Sequence, residues 1–148
     1  MIKKSERLKL IIDLYARQEQ EALQLLGRSQ QKLLAQQSQL EQLQNYQIEH
    51  QTGFSMQQSK GLSMMQFMEM RAFADKLDKA IAGQKTVLAG FEQDFLRAQK
   101  NWEESHNRTK NMQKIRDSAK QDELNIEKKH EQTELDARAV RSQRKNGI

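Results

Sequence analysis

The stretch FMEMRAFADKLDKAIAGQKTVLAGFEQDFLRAQKNW, residues 67–102, decides the fold of this chain. Alternating steps of three and four residues along it meet an apolar side chain at ten of eleven positions. The positions are Phe67, Met70, Ala74, Leu77, Ile81, Gln84, Leu88, Phe91, Phe95, Ala98 and Trp102. Only 36% of the 148 residues are hydrophobic, so chance seldom produces such a run. This heptad pattern predicts a helix that pairs with a second helix along a narrow seam.

A weaker heptad seam lies in the first fifty residues, where eight of twelve positions are apolar. The positions are Leu8, Ile12, Tyr15, Glu19, Ala22, Leu26, Ser29, Leu33, Gln36, Leu40, Leu43 and Gln47. Between the two seams, the glycine-bounded and mostly polar segment 53–61 predicts a loop. Ser63 followed by Gln66 is a capping-box pattern, which predicts the start of the second helix. A short loop between two such helices favours an antiparallel hairpin.

The sequence therefore predicts an all-α fold, a long two-helix antiparallel coiled-coil hairpin with an extended C-terminal helix. We expect a single elongated domain over residues 1–148, with helix one at about 5–50, the loop at about 52–62 and helix two at about 63–143. Paired residues should have numbers that total about 114, which follows from a turn centred near residue 57. Beyond Trp102 the second seam is apolar at only five of eleven positions. We therefore expect residues 106–148 to overhang the end of helix one.

Composition excludes several classes of protein. The chain has no proline, which favours uninterrupted helices, and no cysteine, which excludes disulfide frameworks, thiol nucleophiles and most structural zinc sites. The apolar run 8–14 contains Lys9 and Asp13, and it is too short for a signal-peptide core or a membrane span. We expect a cytosolic protein.

The sequence contains no pattern typical of catalysis. His50, His106 and His130 are far apart, and there is no phosphate-binding glycine motif or metal-spaced cluster. We predict that the protein is not an enzyme and that it has no cofactor and no metal site. Five of the seven methionines fall within residues 56–70, which predicts an apolar tip beside the loop.

Charge is unevenly distributed along the chain. Residues 1–17 carry a net charge of +3 and residues 106–148 a net charge of +4, whereas residues 18–105 carry −2. In a hairpin the two basic segments meet at one end, so that end should be positive and the rest not.

Several short segments resemble flagellar FliJ proteins, the small coiled-coil component of the type III export apparatus. They occur in this order: Leu25-Leu26-Gly27, Asn45-Tyr46-Gln47, Phe73, Leu77-Asp78-Lys79-Ala80-Ile81, Gln84, Trp102, Glu127-Lys128-Lys129 and Leu135-Asp136-Ala137-Arg138. Each motif is weakly specific, and the resemblance rests on their order and spacing over nearly the whole chain.

The resemblance implies a coiled-coil stalk similar to the central subunit of rotary ATPases. The end with both termini would enter the hexameric flagellar export ATPase and promote its ring assembly and activity. The basic residues at this end that we expect to contact the ATPase ring are Lys3, Lys4, Arg7, Lys128, Lys129, Arg138 and Arg141. The loop half would reach the cytoplasmic domain of the membrane export gate, with matching positions Gln39, Leu43, Tyr46, His50, Phe73, Leu77, Ala80 and Gln84. Export chaperones are further partners in the family, and the implied location is the cytoplasm, peripheral to the inner membrane at the flagellar base.

Other functions remain open from the sequence. One is an escort or general chaperone hairpin that binds export chaperones or substrates through the methionine-rich tip. Another is a nucleic-acid-binding coiled coil, which predicts steep salt dependence; the acidic residues interspersed among the basic residues of the tail argue against it, and we expect no nucleic-acid partner. A further alternative is the stalk of a virulence-type injectisome, a close relative of the flagellar protein that the sequence distinguishes only weakly.

Overall fold

The computed structural model describes residues 2–147 and contains two α-helices. Helix α1 spans Lys4–Lys60 and helix α2 spans Met64–Asn146. No strand occurs in this described range. The two helices pack against each other in antiparallel order, so the predicted all-α hairpin is confirmed.

The turn between the helices consists of residues 61–63. Gly61 has a φ of +92°, in the left-handed region that favours glycine, and its N–H donates to the carbonyl of Gln58 at 3.2 Å. The predicted capping box is confirmed, because the Gln66 N–H donates to the Ser63 hydroxyl at 3.2 Å and the Ser63 N–H donates to Gln66 Oε1 at 3.2 Å. These bonds end α1 and begin α2 within three residues.

The turn is shorter than the loop predicted at about 52–62, because α1 continues through that segment to Lys60. Gly53 lies inside the helix, where glycine costs about 1 kcal/mol relative to alanine. Phe54 offsets that cost, since its ring packs on the ring of Phe67 with centroids 5.6 Å apart. The ten extra residues of α1 shift the pairing. Gln36 bonds Gln84 and Ser5 bonds Glu123, so paired numbers total 120 and 128 rather than about 114.

The chain divides into two compact units, and each unit contains parts of both helices. The terminal unit holds the chain up to Gln20 and from Glu103 onward. The turn unit is Glu21–Trp102. The two basic ends of the sequence therefore belong to the same unit, as the charge pattern predicted.

The predicted seams are the buried faces of both helices. In α1 all twelve predicted positions are buried or half-buried, and in the segment 4–50 only Ser5, Gln44 and His50 join them. In the turn unit, Leu77, Ile81 and Gln84 of α2 are the most deeply buried. The narrow seam leaves every intervening residue of α2 between Phe67 and Trp102 exposed, as expected when one helix covers only one stripe of another.

The polar part of the second seam is paired as well, which corrects the predicted overhang of residues 106–148. The in-frame positions from Ser105 to Glu123 are all buried or half-buried in the terminal unit. Full exposure begins only at Leu124 and continues through residue 147. The unpaired part of α2 is therefore residues 124–146, because helix α1 begins at Lys4 and the pairing register brings Ser5 to Glu123.

Candidate functional site

The eight residues predicted to contact the export gate fall on one side of the helix pair in the turn unit. Each heptad has two seam positions, because the steps along the seam alternate between three and four residues. Four of the eight residues occupy one of these two seam positions, and the other four directly precede the second one. The first four, Leu43, His50, Leu77 and Gln84, are buried or half-buried, and the second four, Gln39, Tyr46, Phe73 and Ala80, are exposed. In an antiparallel pair these two kinds of position alternate along one edge of the interface. The exposed four thus form a surface that the buried four support from below.

Two aromatic rings dominate that surface. The side chain of Tyr46 is 59% exposed and that of Phe73 is 49% exposed. The imidazole of His50 meets the Phe73 ring edge to face, with centroids 4.8 Å apart and planes at 67°. His50 Nε2 lies 2.9 Å from the carbonyl oxygen of Met70, and because a carbonyl can only accept, this nitrogen carries the proton. His50 therefore fixes the position of Phe73 and links α1 to α2.

Gln84 lies inside the seam. Its Nε2 donates to both the side-chain oxygen of Gln36, at 2.8 Å, and the backbone carbonyl of Gln36, at 3.1 Å. A buried amide with two such bonds is satisfied without a partner protein. The prediction that Gln84 contacts the export gate stays a prediction.

An apolar groove of about 310 Å³ lies beside the turn, on the edge of the helix pair opposite Tyr46 and Phe73. Its lining is His50, Gln51, Phe54, Gln58, Phe67, Met70, Arg71 and Ala74. The methionines predicted at the tip are largely outside it: Met56, Met64, Met65 and Met68 are exposed, with Met64 at 74%. The predicted apolar tip is therefore present. The pairing of Phe54 with Phe67 was missed because the sequence placed Phe54 in a loop.

Helix α2 caps the first turn of helix α1 in the terminal unit. The Ser5 hydroxyl donates to Glu123 Oε2 at 2.7 Å, and the Ser5 backbone N–H donates to Glu123 Oε1 at 3.2 Å. The first N–H groups of a helix have no partner within the helix, so this carboxylate takes the place of a capping residue. The hydroxyl bond first, and then the backbone bond, lower the pKa of Glu123 against the opposing effect of desolvation. Lys3 and Lys120 lower the same pKa further.

Polar pairs also join the helices farther along the terminal unit. His106 Nδ1 donates to Glu19 Oε1 at 2.6 Å. Arg108 stacks over the Tyr15 ring, 4.5 Å from its centroid, and donates through Nη2 to Gln18 Oε1 at 2.6 Å. Hydrophobic periodicity does not reveal such pairs. Some of them leave a trace in the sequence as a polar residue at a seam position, such as Glu19 in α1 and Glu123 in α2.

The seven predicted ATPase-contact residues are all exposed and all belong to the terminal unit. They are Lys3, Lys4, Arg7, Lys128, Lys129, Arg138 and Arg141. Lys3 shares a groove of about 420 Å³ with Ile126 and His130 of α2, so Lys3 lies beside the start of the unpaired segment. Arg138 and Arg141 line a second groove, of about 560 Å³, together with Ser142, Arg144 and Lys145. The structure thus places both basic groups in one unit without bringing all seven side chains together.

Neither α1 nor α2 contains, within residues 2–147, a segment long and apolar enough to cross a membrane. In the same range, no group of three or more histidine and carboxylate side chains is arranged to hold a metal ion.

The chain is similar to a known family of proteins. A family model described as "Flagellar FliJ protein" matches residues 3–147, which is nearly the whole chain. No curated protein matches the chain by sequence. The matched range includes both helices, the turn and both basic segments.

Proposed function

The chain belongs to the FliJ family of flagellar proteins, and we propose that it is a stalk that couples the hexameric flagellar export ATPase to the membrane export gate. Family membership makes it a helical-hairpin protein related to flagellar export. In the proposal the terminal unit binds inside the ATPase ring, the turn unit meets the gate, and the protein supplies contacts without performing chemistry.

The observation that carries this proposal is the unpaired segment at the end of α2. Residues 124–146 are helical, yet every side chain among them is exposed. A polar helix of this length is only marginally stable in water without tertiary contacts, so it suits a partner that surrounds it on several sides and whose contacts outweigh the cost of ordering it. The inside of a ring is such a partner.

The positive charge of the terminal unit also supports this unit as the end that binds the ATPase. Residues 137–147 contain four basic side chains and no acidic one, namely Arg138, Arg141, Arg144 and Lys145. Exposed Lys3, Lys4 and Arg7 add to the positive charge of the terminal unit. Such a field speeds encounter with an acidic partner surface and fixes which end of the protein enters first.

The proposed mechanism rests on the mismatch between one hairpin and six subunits. A single chain in a six-fold ring cannot contact all subunits equally, so it stabilises some subunit conformations over others. Binding energy that depends on the conformation of each subunit shifts populations within the ring. In this way the stalk promotes ring assembly and biases nucleotide turnover.

For the gate contact we propose Gln39, Tyr46, Phe73 and Ala80 as the residues that touch the partner. Leu43, His50, Leu77 and Gln84 belong to the same proposed site, and they act by holding this surface in place. Exposed aromatic side chains at the centre of a surface are the usual anchors of protein interfaces. Through these partners the protein would sit in the cytoplasm, peripheral to the inner membrane at the flagellar base.

A second candidate function has its own supporting observation. The methionines 56, 64, 65 and 68 are exposed beside the apolar groove at the turn. Flexible thioether side chains suit a surface that adapts to several partners. An escort for export chaperones or their amphipathic substrates would use this end.

ATP hydrolysis distinguishes the two functions. The cognate export ATPase is titrated with the full chain, with a variant lacking residues 124–148, and with the tip variant Met64→Gln/Met65→Gln. The truncation ends at Glu123, the residue that bonds Ser5, so it removes the part of α2 whose side chains are all exposed. The stalk function predicts stimulation by the full chain and by the tip variant, and its loss on truncation.

Stimulation that survives the truncation would contradict the proposed role of the terminal unit. Absence of stimulation by the full chain, with an ATPase shown to form rings, would favour the escort function. In that case the tip variant should lose chaperone binding.

A further inference from the structure

The terminal unit contains a buried cationic atom that the helix pair leaves without a partner. Arg116 occupies a seam position of α2, and its side chain is half-buried there. Its Nε atom is buried and has no hydrogen-bond partner among residues 2–147. Nearly all buried polar groups in proteins are hydrogen-bonded, and burying part of a charged group without compensation is unfavourable. This guanidinium therefore points to an anionic ligand from outside the chain.

Two lysines lie beside Arg116, one on each helix. Arg116 lines a cavity of about 320 Å³ together with Lys9 of α1 and Lys120 of α2. Lys120 follows Arg116 by four residues and so lies on the same face of α2. Lys9 and Lys120 each directly follow a seam residue, and in an antiparallel pair such positions lie along one edge of the interface. Three cations from two helices therefore converge on one cavity.

The carboxylates that line the same cavity do not neutralise these cations. Glu123 accepts both of its hydrogen bonds from Ser5. Glu6 and Glu127 also line the cavity, yet in the described part of the chain neither forms an ion pair with any of the three cations. With Lys3 included, the lining has four basic and three acidic side chains, which leaves a net charge of +1.

The acidic residues of α2 are also set apart from the guanidinium along the helix. Glu123 and Glu127 follow Arg116 by seven and eleven residues, which corresponds to about 10 Å and about 16 Å at 1.5 Å per residue. The end of the cavity at Arg116 is therefore its positive end.

We propose that Arg116, Lys9 and Lys120 bind a phosphate group. An arginine donates two parallel N–H groups to two oxygens of a phosphate, whereas a lysine acts as a point charge from any direction. A phosphate dianion also screens the two lysines from each other across the helix pair. The cavity of about 320 Å³ holds such an anion together with water, since one water molecule takes up about 30 Å³. Inorganic phosphate and the terminal phosphate of a nucleotide offer the same chemistry.

Bound phosphate joins the second turn of α1 to α2. Lys9 belongs to α1 and the other two ligands belong to α2, so the anion adds a contact between the helices next to the pair of Ser5 with Glu123. A ligand that binds the folded chain and not the unfolded chain stabilises the folded state. Phosphate should therefore stabilise the pairing of the helices in the terminal unit.

The test compares two arginines of α2 in the full-length protein. Arg116→Gln removes the guanidinium from the cavity, and Arg97→Gln is the matched control because Arg97 is exposed on α2 in the turn unit. Each protein is unfolded by urea in sodium phosphate and in sodium chloride of equal ionic strength. Phosphate also stabilises proteins through exclusion from their surface, and the natural chain and both variants share that effect. Phosphorus NMR titration measures binding directly.

We expect phosphate at about ten times its dissociation constant to raise the folded-to-unfolded ratio about elevenfold beyond the exclusion effect, which moves the urea midpoint by about 0.7 M. Arg97→Gln should show the same shift, and Arg116→Gln a shift below about 0.1 M. Lys9→Gln/Lys120→Gln keeps the guanidinium and should bind phosphate at least about fivefold more weakly in the NMR titration. ADP replaces phosphate in a parallel titration. Affinity at least about tenfold higher for ADP supports a nucleotide site, and equal affinity supports a site for inorganic phosphate.

Two results would overturn the site. Equal phosphate-dependent shifts in the natural chain, Arg116→Gln and Arg97→Gln would reduce the action of phosphate to exclusion. An Arg116→Met variant that is more stable than the natural chain by the same margin in chloride and in phosphate would show that the buried guanidinium is a cost that no ligand offsets. The export ATPase takes part in none of these measurements, so their failure leaves the proposed function standing.

Discussion

Ile81 gives the sharpest test of the seam, because it can be compared with an isomeric residue on the same helix and in the same unit. Ile81 occupies a seam position and is 7% exposed, whereas Leu96 lies off the seam and is 53% exposed. Replacing either by alanine removes the same three carbon atoms. Apart from a few tenths of a kcal/mol of helix propensity, a difference between the two variants therefore reports burial.

The expected cost of Ile81→Ala follows from its burial. Three buried carbons at about 0.8 kcal/mol each give a loss of about 2.4 kcal/mol. Alanine recovers about 0.4 kcal/mol through its higher helix propensity. The seam is one helix wide and open to water on both sides, so the cavity adds little and the cost stays near the lower end of the usual range for core truncations, about 2 kcal/mol. Leu96→Ala should change the free energy of unfolding by less than about 0.5 kcal/mol.

The assay is urea unfolding followed by circular dichroism at the helical minimum. With a denaturant slope of about 2 kcal/mol per molar, Ile81→Ala should lower the midpoint by about 1 M. Leu96→Ala should leave the midpoint within about a quarter of a molar of the natural chain. Equal shifts for the two variants would refute the assignment of Ile81 to a buried seam, and with it the register of the turn unit.

The remaining predictions concern the turn, the cross-helix cap and the aromatic edge. Gly83→Ala should raise the free energy of unfolding by about 0.5–1 kcal/mol, because a methyl group there meets open space. Gly61→Ala should lower the free energy of unfolding by about 1–2 kcal/mol, because alanine is strained at a φ of +92°. Urea unfolding midpoints that move in the same direction for both variants would contradict this pair of predictions. Glu123 has a lowered pKa in the folded protein, so its stabilising effect is present above the ordinary carboxyl pKa of about 4.3 and disappears as the pH falls through the lowered value. The protection of the amides in the first turns of α1 against hydrogen exchange, measured relative to the intrinsic exchange rate at each pH, should therefore fall at acidic pH in the natural chain and depend less on pH in Glu123→Gln. Equal pH dependence of this protection in the two proteins would exclude the cap. His50→Ala should cost about 1 kcal/mol by removing one interhelix hydrogen bond, and it should broaden the Phe73 ring signals in NMR spectra, whereas an unchanged Phe73 environment would show that His50 does not orient it.

The seam positions were predictable because periodicity reports which face of a helix is covered. Ten apolar residues in eleven positions allow only one face of α2 to be the buried face, and even the polar Gln84 at the eleventh position is buried there. The capping box at Ser63 was equally readable, since its two hydrogen bonds are local and need only the spacing of two residue types. Local hydrogen-bonding patterns and a strong hydrophobic period were therefore enough to predict most of the fold.

The turn and the terminal unit were harder because long-range contacts decide them. Gly53 favours a loop when taken alone, but the contact of Phe54 with Phe67 outweighs that preference, and this contact exists only after the helices have paired. The hydrophobic pattern also predicted that α2 overhangs α1 from residue 106 onward, because a charged residue such as Glu123 at a seam position counts against pairing. The structure pairs Glu123 with Ser5, which a pattern based on apolar residues cannot detect.

The eight residues predicted to contact the export gate lie on one side of the helix pair, which no single motif in the sequence required. Heptad arithmetic alone assigns Gln39, Tyr46, Phe73 and Ala80 to one edge once the antiparallel order is known. It does not give the contact of His50 with Phe73, because ring orientation depends on side-chain packing across the two helices.

The central claim is that the terminal unit is the end that meets the export ATPase. Its most direct test is site-specific photo-crosslinking, with a photoreactive amino acid placed at Arg138 in one variant and at Met65 in another, both exposed positions on α2. After irradiation with the cognate ATPase rings, we predict a crosslink to the ATPase from position 138 and none from position 65. A crosslink from position 65 without one from position 138 would place the turn end in the ring and contradict the account.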